Sequence, residues 1–350
     1  MSASLHELII DGTIDGADLH NAHLANADLS GLRLRQVNFQ GADLSNANLS
    51  EADFQDCILT QADLRNATLL ATSFSDCSLQ GALLNQANLM TATFTRCSLA
   101  DIQAENANWS AAELDTCSLD HANLQGGNFE CCTLKQCSLD QTRFENAQLT
   151  YLTALSSNLK TARFNQNDMS QALFSGSDLS GHAFQGCNLT LTMFNEAILD
   201  NTDFSGMALA QTIFAEASLK GANFSTIQAE SVSWAMADLT DACFTDARLE
   251  MCELSIARLV RVNASNIQLS YTPMIKADAS QSVWDNGKIQ FCDLSQSKLD
   301  RASLRNTSLY LCDMDKVSEE GTLWTGTEFS EVNRADPERQ QTENRNEPWN

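Results

Sequence analysis

Proline is scarce in this 350-residue chain, with three, and glycine is modest, with 15. These numbers exclude a collagen-like triple helix and a proline-rich linker, both of which need far more. Positive charge is in short supply: 21 Lys and Arg stand against 45 Asp and Glu, for a net charge of −24. Clustered cations are what hold nucleic-acid phosphates, so no direct nucleic-acid binding is expected. No apolar run approaches 18 residues, so no helix is expected to span a membrane. The start, Met1 to Ile10, lacks a basic opening and a long apolar stretch. A secretory signal of the usual kind is therefore not expected, and the expected localisation is cytoplasmic. Apolar residues make up 43% of the chain, ample for a core.

One period dominates the sequence, and it is five. Positions ending in 4 or 9 run from Ile14 to Phe329 without a slip, and only Glu319 among them is polar. Five are Ala (Ala104, Ala154, Ala229, Ala264 and Ala279); the rest are Leu, Phe, Met, Ile or Trp. Two residues earlier the chain is mostly small, as at Ala17, Ala22, Ala27, Ala42 and Cys57. Asp, Asn, Ser, Thr, Gln and Gly fill the gaps. Period five fits neither a helix nor a strand. It fits a square coil with five residues to a side and 20 to a turn. The large and the small residue point inward, and each coil must be covered by its neighbours.

Columns spaced by 20 support this reading. Leu59, Leu79, Leu99 and Leu119 continue as pure Leu to Leu239, and Phe144, Phe164 and Phe184 continue as Phe to Phe244. The corner series Asn26, Asn46, Asn66, Gln86, Asn106 places amides where left-handed turn geometry and axial hydrogen bonds suit them.

Units such as Ala17-Asp-Leu-His-Asn21, Ala42-Asp-Leu-Ser-Asn46, Ala62-Asp-Leu-Arg-Asn66 and Ala222-Asn-Phe-Ser-Thr226 read A-(D/N)-L-x-x. On these units the chain resembles the pentapeptide repeat family, over about nine-tenths of its length. The resemblance implies an all-β fold, a right-handed quadrilateral parallel β-helix of about 16 coils. At about 4.8 Å per strand spacing that is a rod of roughly 75–80 Å. Residues 1–11 are expected to cap the first coil through Leu5, Leu8, Ile9 and Ile10. Residues 12–330 are expected to form one repeat domain, and 331–350 a flexible polar tail. A local irregularity is expected over 260–291, where Ala264, Pro273, Ala279 and Gly287 weaken the pattern.

Little in the sequence suggests chemistry. Ten of 12 cysteines take the inward small position, five of them in one column: Cys57, Cys77, Cys97, Cys117 and Cys137. They read as compact substitutes for Ala, in a reducing compartment. Cys131 and Cys243 fall on outward positions and are the expected reactive thiols. No CxxC pair appears, so no metal site is expected. Asn167 and His182 take inward small positions and are expected to satisfy nearby backbone groups, with a ligand site as the alternative. No nucleophile–base pair or phosphate loop emerges, so no catalytic residue, no cofactor and no enzymatic activity are expected.

Two surfaces remain. Residues 1–130 carry 17 acids and four bases. On Asp53, Asp56, Asp76 and Asp115 this acidity reads either as solubility or as mimicry of duplex DNA; the resemblance connects the latter to binding DNA gyrase and related topoisomerases. The other surface is apolar where polar residues are expected. Tyr151, Leu191, Met251, Tyr271, Phe291 and Leu311 share an outward corner column, Leu173, Met193 and Ile213 an adjoining one, and Met236 and Ile256 the next corner. Such a stripe marks an interface, and it is the expected partner-binding surface of a rigid protein-binding scaffold. Family context adds a type VI secretion component or effector as one candidate partner. A homodimer through the stripe is another.

Overall fold

The fold grows from how five residues place five amides. In Ala47-Asn48-Leu49-Ser50-Glu51, the Ala47 N–H closes a turn on the Leu44 carbonyl at 3.0 Å. The Asn48 N–H reaches down one coil to the Ala27 carbonyl (2.9 Å), and the Leu49 and Glu51 N–H groups reach up one coil to Thr68 and Leu70 (2.8 Å each). The Ser50 N–H is held by the Asn48 side chain at 3.2 Å. Every donor of the unit is used, as a buried backbone requires. This explains the repeat chemically. Asp or Asn precedes the large residue because its side chain must hold the amide two positions on. The same bond recurs from Asp28, Asp43 and Asp63.

The computed structural model describes residues 5–334. The chain is a parallel β-solenoid of about sixteen turns. In the regular coils successive turns pair at four places, one per side: Ile14 pairs with Leu34, Asp18 bridges Asn38, His23 bridges Asp43 and Asp28 bridges Asn48. The coil is therefore four-sided. Two compact units are formed. The first runs to Leu179 and includes Gly186–Met193; the second comprises Ser180–Gln185 and the chain from Phe194 on.

In the first unit one side carries an eight-stranded parallel ladder: β1 (Thr13–Asp15), β2 (Arg33–Arg35), β3 (Asp53–Gln55), β4 (Ser73–Ser75), β5 (Thr93–Thr95), β6 (Glu113–Asp115), β7 (Thr133–Lys135) and β8 (Thr153–Leu155). Its core holds the expected columns. Leu59, Leu79, Leu99 and Leu119 are fully buried, and Phe54, Phe74 and Phe94 stack at 4.6 and 4.8 Å. A four-residue helix, α1 (Leu5–Leu8), precedes the first coil. Ile10 does not cover that coil as expected: it is 71% exposed and bridges Thr13 instead. Leu8 and Ile9 are half-buried; the Leu5 side chain lies outside the described residues.

In the second unit the ladder comprises β9 (Ala208–Ala210), β10 (Gln228–Glu230), β11 (Arg248–Glu250), β12 (Gln268–Ser270), β13 (Lys288–Gln290) and β14 (Ser308–Tyr310). After the short β15 (Asp313–Met314), β16 (Glu328–Ser330) completes it, and β17 (Asn333–Arg334) pairs with β15. Regular pairing thus extends to Arg334, four residues into the segment expected as a tail; residues 335–350 lie outside the described residues. Phe204, Phe224 and Phe244 stack at 4.9 and 4.8 Å. The irregularity expected over 260–291 is slight. Pro273 lacks an N–H, but its carbonyl still accepts from Leu254 at 2.9 Å, and Ala264 and Ala279 are buried.

Candidate functional site

The stripe residues sit where the backbone bends. The corner residue of each side has a left-handed conformation: φ is 59° at Tyr151 and Leu191, 53° at Met251, 51° at Tyr271, 56° at Phe291 and 50° at Leu311. Met236 and Ile256, on the next corner, have φ of 61°. Gly and Asn adopt this geometry readily. A bulky or β-branched residue there costs on the order of 1 kcal/mol or more. All eight are exposed, from 37% for Phe291 to 56% for Ile256. Leu173, Met193 and Ile213 lie on flat sides and are half-buried.

The stripe resolves into two patches, one on each unit. In the first unit Leu173 bridges Met193, with Tyr151 and Leu191 on the corner beside them. In the second, Met251, Tyr271, Phe291 and Leu311 follow on successive coils. The Tyr271 and Phe291 rings stack at 4.7 Å and 3°, and Tyr310 meets Phe291 edge-on at 5.4 Å. The ridge packs along its own length and still stands out to solvent.

The acidic face is less bare than its composition suggests. Arg96 binds Asp76 through Nε and Nη2, at 2.8 and 2.6 Å, and holds its carboxyl below the ordinary range. Asp115 accepts from the Thr116 hydroxyl at 2.8 Å and from Lys135 Nζ at 3.0 Å, and both lower its pKa, the hydroxyl more. The Ser73 hydroxyl donates to half-buried Asp53 at 2.8 Å. Asp56 is exposed on a corner. Two of the four candidate carboxylates are thus neutralised by a cation one coil away. Arg261 likewise pairs with Asp241 at 2.6 Å.

The cysteine column has a role that the Ala-substitute reading missed. In the regular coils three corners close with an amide-to-carbonyl turn bond, but the corner after the three-residue strand stays open. There the Cys57 N–H meets the Cys77 sulfur at 3.4 Å, and the Cys77 thiol lies within reach of the Phe54 and Ser75 carbonyls, at 3.5 and 3.2 Å. Ser157 and Ser177 continue the pattern. In the second unit the open corner moves one side earlier, and Cys252, Thr272 and Cys312 follow it. This shift from positions ending in 7 to positions ending in 2 was a readable signal. Burial pushes the thiols of Cys137 and Cys252 up to about 11. Cys131 is exposed, as expected, whereas Cys243 is only partly so and lies 3.3 Å from the Thr245 hydroxyl. Cys187, expected inward, is half-exposed.

Asn167 satisfies backbone as expected. Its amide nitrogen donates to the Phe144 and Ala147 carbonyls at 2.6 and 2.9 Å, and its oxygen accepts from the Asn165 N–H at 2.8 Å. His182, in the second unit, is half-buried beside Phe184, with ring centroids 5.8 Å apart. Among the described residues, no group of three or more His, Cys, Asp or Glu is placed to hold a metal ion.

Four-sided parallel coils with a filled core and chemistry confined to the surface define a repeat scaffold. Two family profiles match the chain: pentapeptide repeat region over residues 47–124 and 181–254, and pentapeptide repeats (8 copies) over 14–50, 128–166 and 157–190. The chain belongs to the pentapeptide repeat family. No match is found among curated proteins. Among solved structures it is similar to a trypsin-treated form of QnrB1, a plasmid-mediated fluoroquinolone resistance protein. The identity is 18% over 57% of this chain and 87% of that one, with a TM-score of 0.37. HetL, a pentapeptide repeat protein involved in heterocyst differentiation regulation in the cyanobacterium Nostoc, is similar at 20% identity, over 90% and 87% of the two chains, with a TM-score of 0.19. A pentapeptide repeat protein of the Arabidopsis thaliana thylakoid lumen shares 26% identity over 35% of this chain and 68% of its own, with a TM-score of 0.17. No residue role transfers from these likenesses.

Proposed function

We propose that the protein is a non-enzymatic scaffold, working in a reducing cytoplasmic compartment, that docks a protein partner on its exposed apolar corners. The observation that supports this most is the placement of Tyr, Leu, Met, Phe and Ile at left-handed, solvent-facing corners, where the fold itself favours Gly or Asn. A type VI secretion component or effector is one candidate partner. The competing reading, a DNA mimic that binds gyrase, needs an unbroken acidic face, and the pairing of Asp76 and Asp115 with Arg96 and Lys135 weighs against it. Affinity capture from native lysate, with wild type beside a Leu191→Asp/Phe291→Asp variant, tests the proposal. Both positions are exposed, so the thermal midpoint should hold within a few degrees while the retained partner is lost. A topoisomerase retained equally by both proteins would instead establish the mimic.

A further inference from the structure

We propose that the Met251–Leu311 ridge of the second unit takes a protein whose apolar groove is rimmed on one side by Lys and Arg. This rests on the scaffold reading above and specifies the partner's chemistry. The ridge occupies one corner over four successive coils, roughly 15 Å along the axis at one strand spacing per coil. A corner is convex, so its complement is concave.

One flank of the ridge is acidic. Glu253, Asp293 and Asp313 lie on it, whereas the opposite flank carries Glu250 together with exposed Arg248 and Lys288. Glu250 faces Arg248 at 3.7 Å. The other three have no Lys or Arg ion pair among the described residues. Each is fixed by a backbone N–H two positions on: Ser255 to Glu253 at 2.7 Å, Ser295 to Asp293 at 2.8 Å and Asp315 to Asp313 at 2.9 Å. A partner that covers the ridge strips water from these carboxylates, and they then need cations opposite them.

Two helical peptides of equal length serve as probes, one amphipathic in Leu and Lys and one in Leu and Glu. Both are titrated by fluorescence anisotropy against the full chain. The Leu/Lys peptide is expected to bind more than tenfold tighter, and less tightly in high salt. Glu253→Gln/Asp293→Asn/Asp313→Asn should erase that preference. Asp11→Asn/Asp15→Asn/Glu130→Gln, which removes as much charge elsewhere, should leave it. Tyr271→Ser/Phe291→Ser should weaken both peptides. If wild type binds the two peptides equally, or its preference survives neutralisation of the flank, the basic rim is wrong while the apolar surface stands. If the ridge variant binds the Leu/Lys peptide as wild type does, the attraction is charge alone and both readings fall.

Discussion

At Cys77 a thiol stands in for a missing turn bond: it lies between the Phe54 and Ser75 carbonyls as a donor, and its sulfur receives the Cys57 N–H. A methyl group of the same size can do neither. Removing the thiol leaves a buried carbonyl and a buried N–H without those partners, which costs about 1 kcal/mol. Cys77→Ala should therefore lower the urea midpoint measurably, and Cys77→Ser, which keeps a donor and an acceptor, should recover most of the loss. Cys132→Ala is the control, because the Cys132 N–H already closes its corner on the Phe129 carbonyl at 3.0 Å. Equal midpoints for Cys77→Ala and wild type would return the column to simple packing.

At the scale of the coil, stability is cooperative with the neighbours above and below. Leu119 is fully buried in the Leu column. Leu119→Asp loses that packing and buries a charge without a partner. It should cost about 4 kcal/mol or more and expose adjoining amides to hydrogen exchange. Glu130→Gln, at an exposed position, should leave the midpoint unchanged. Asp120 is a poorer control than its outward position suggests: it accepts from Ser118, Ser138 and the Asp140 N–H at 2.9, 2.6 and 2.9 Å. The inward columns were legible because large and small residues alternate on a fixed local period. The open corner was less so, since its signal is the type of small residue rather than its size.

Across the whole molecule the acidity is partly structural. Hydrogen bonds from Ser30, Ser45 and Arg65 hold Asp28, Asp43 and Asp63 below the ordinary carboxylate range. A carboxylate with a depressed folded value stabilises the fold above its unfolded value, and that stability is lost as pH falls through the folded one. The urea midpoint should hold between pH 7 and about 5 and fall below about pH 4. Asp28→Asn keeps the acceptor oxygen without the titration, and should flatten that acid limb slightly. A midpoint that rose on acidification would mean that mutual repulsion among the 45 acids outweighs these bonds.

The sequence by itself determined the four-sided parallel coil, its 20-residue turn, its inward columns and the chemistry of the corners. A pattern repeated every five residues needs only near neighbours to be read. Tertiary structure alone decided which cations neutralise Asp76 and Asp115 and that the Tyr271 and Phe291 rings stack. Each of these depends on side chains 20 residues apart in sequence and one strand spacing apart in space. Whether such a pair meets is set by corner geometry and rotamer rather than by composition.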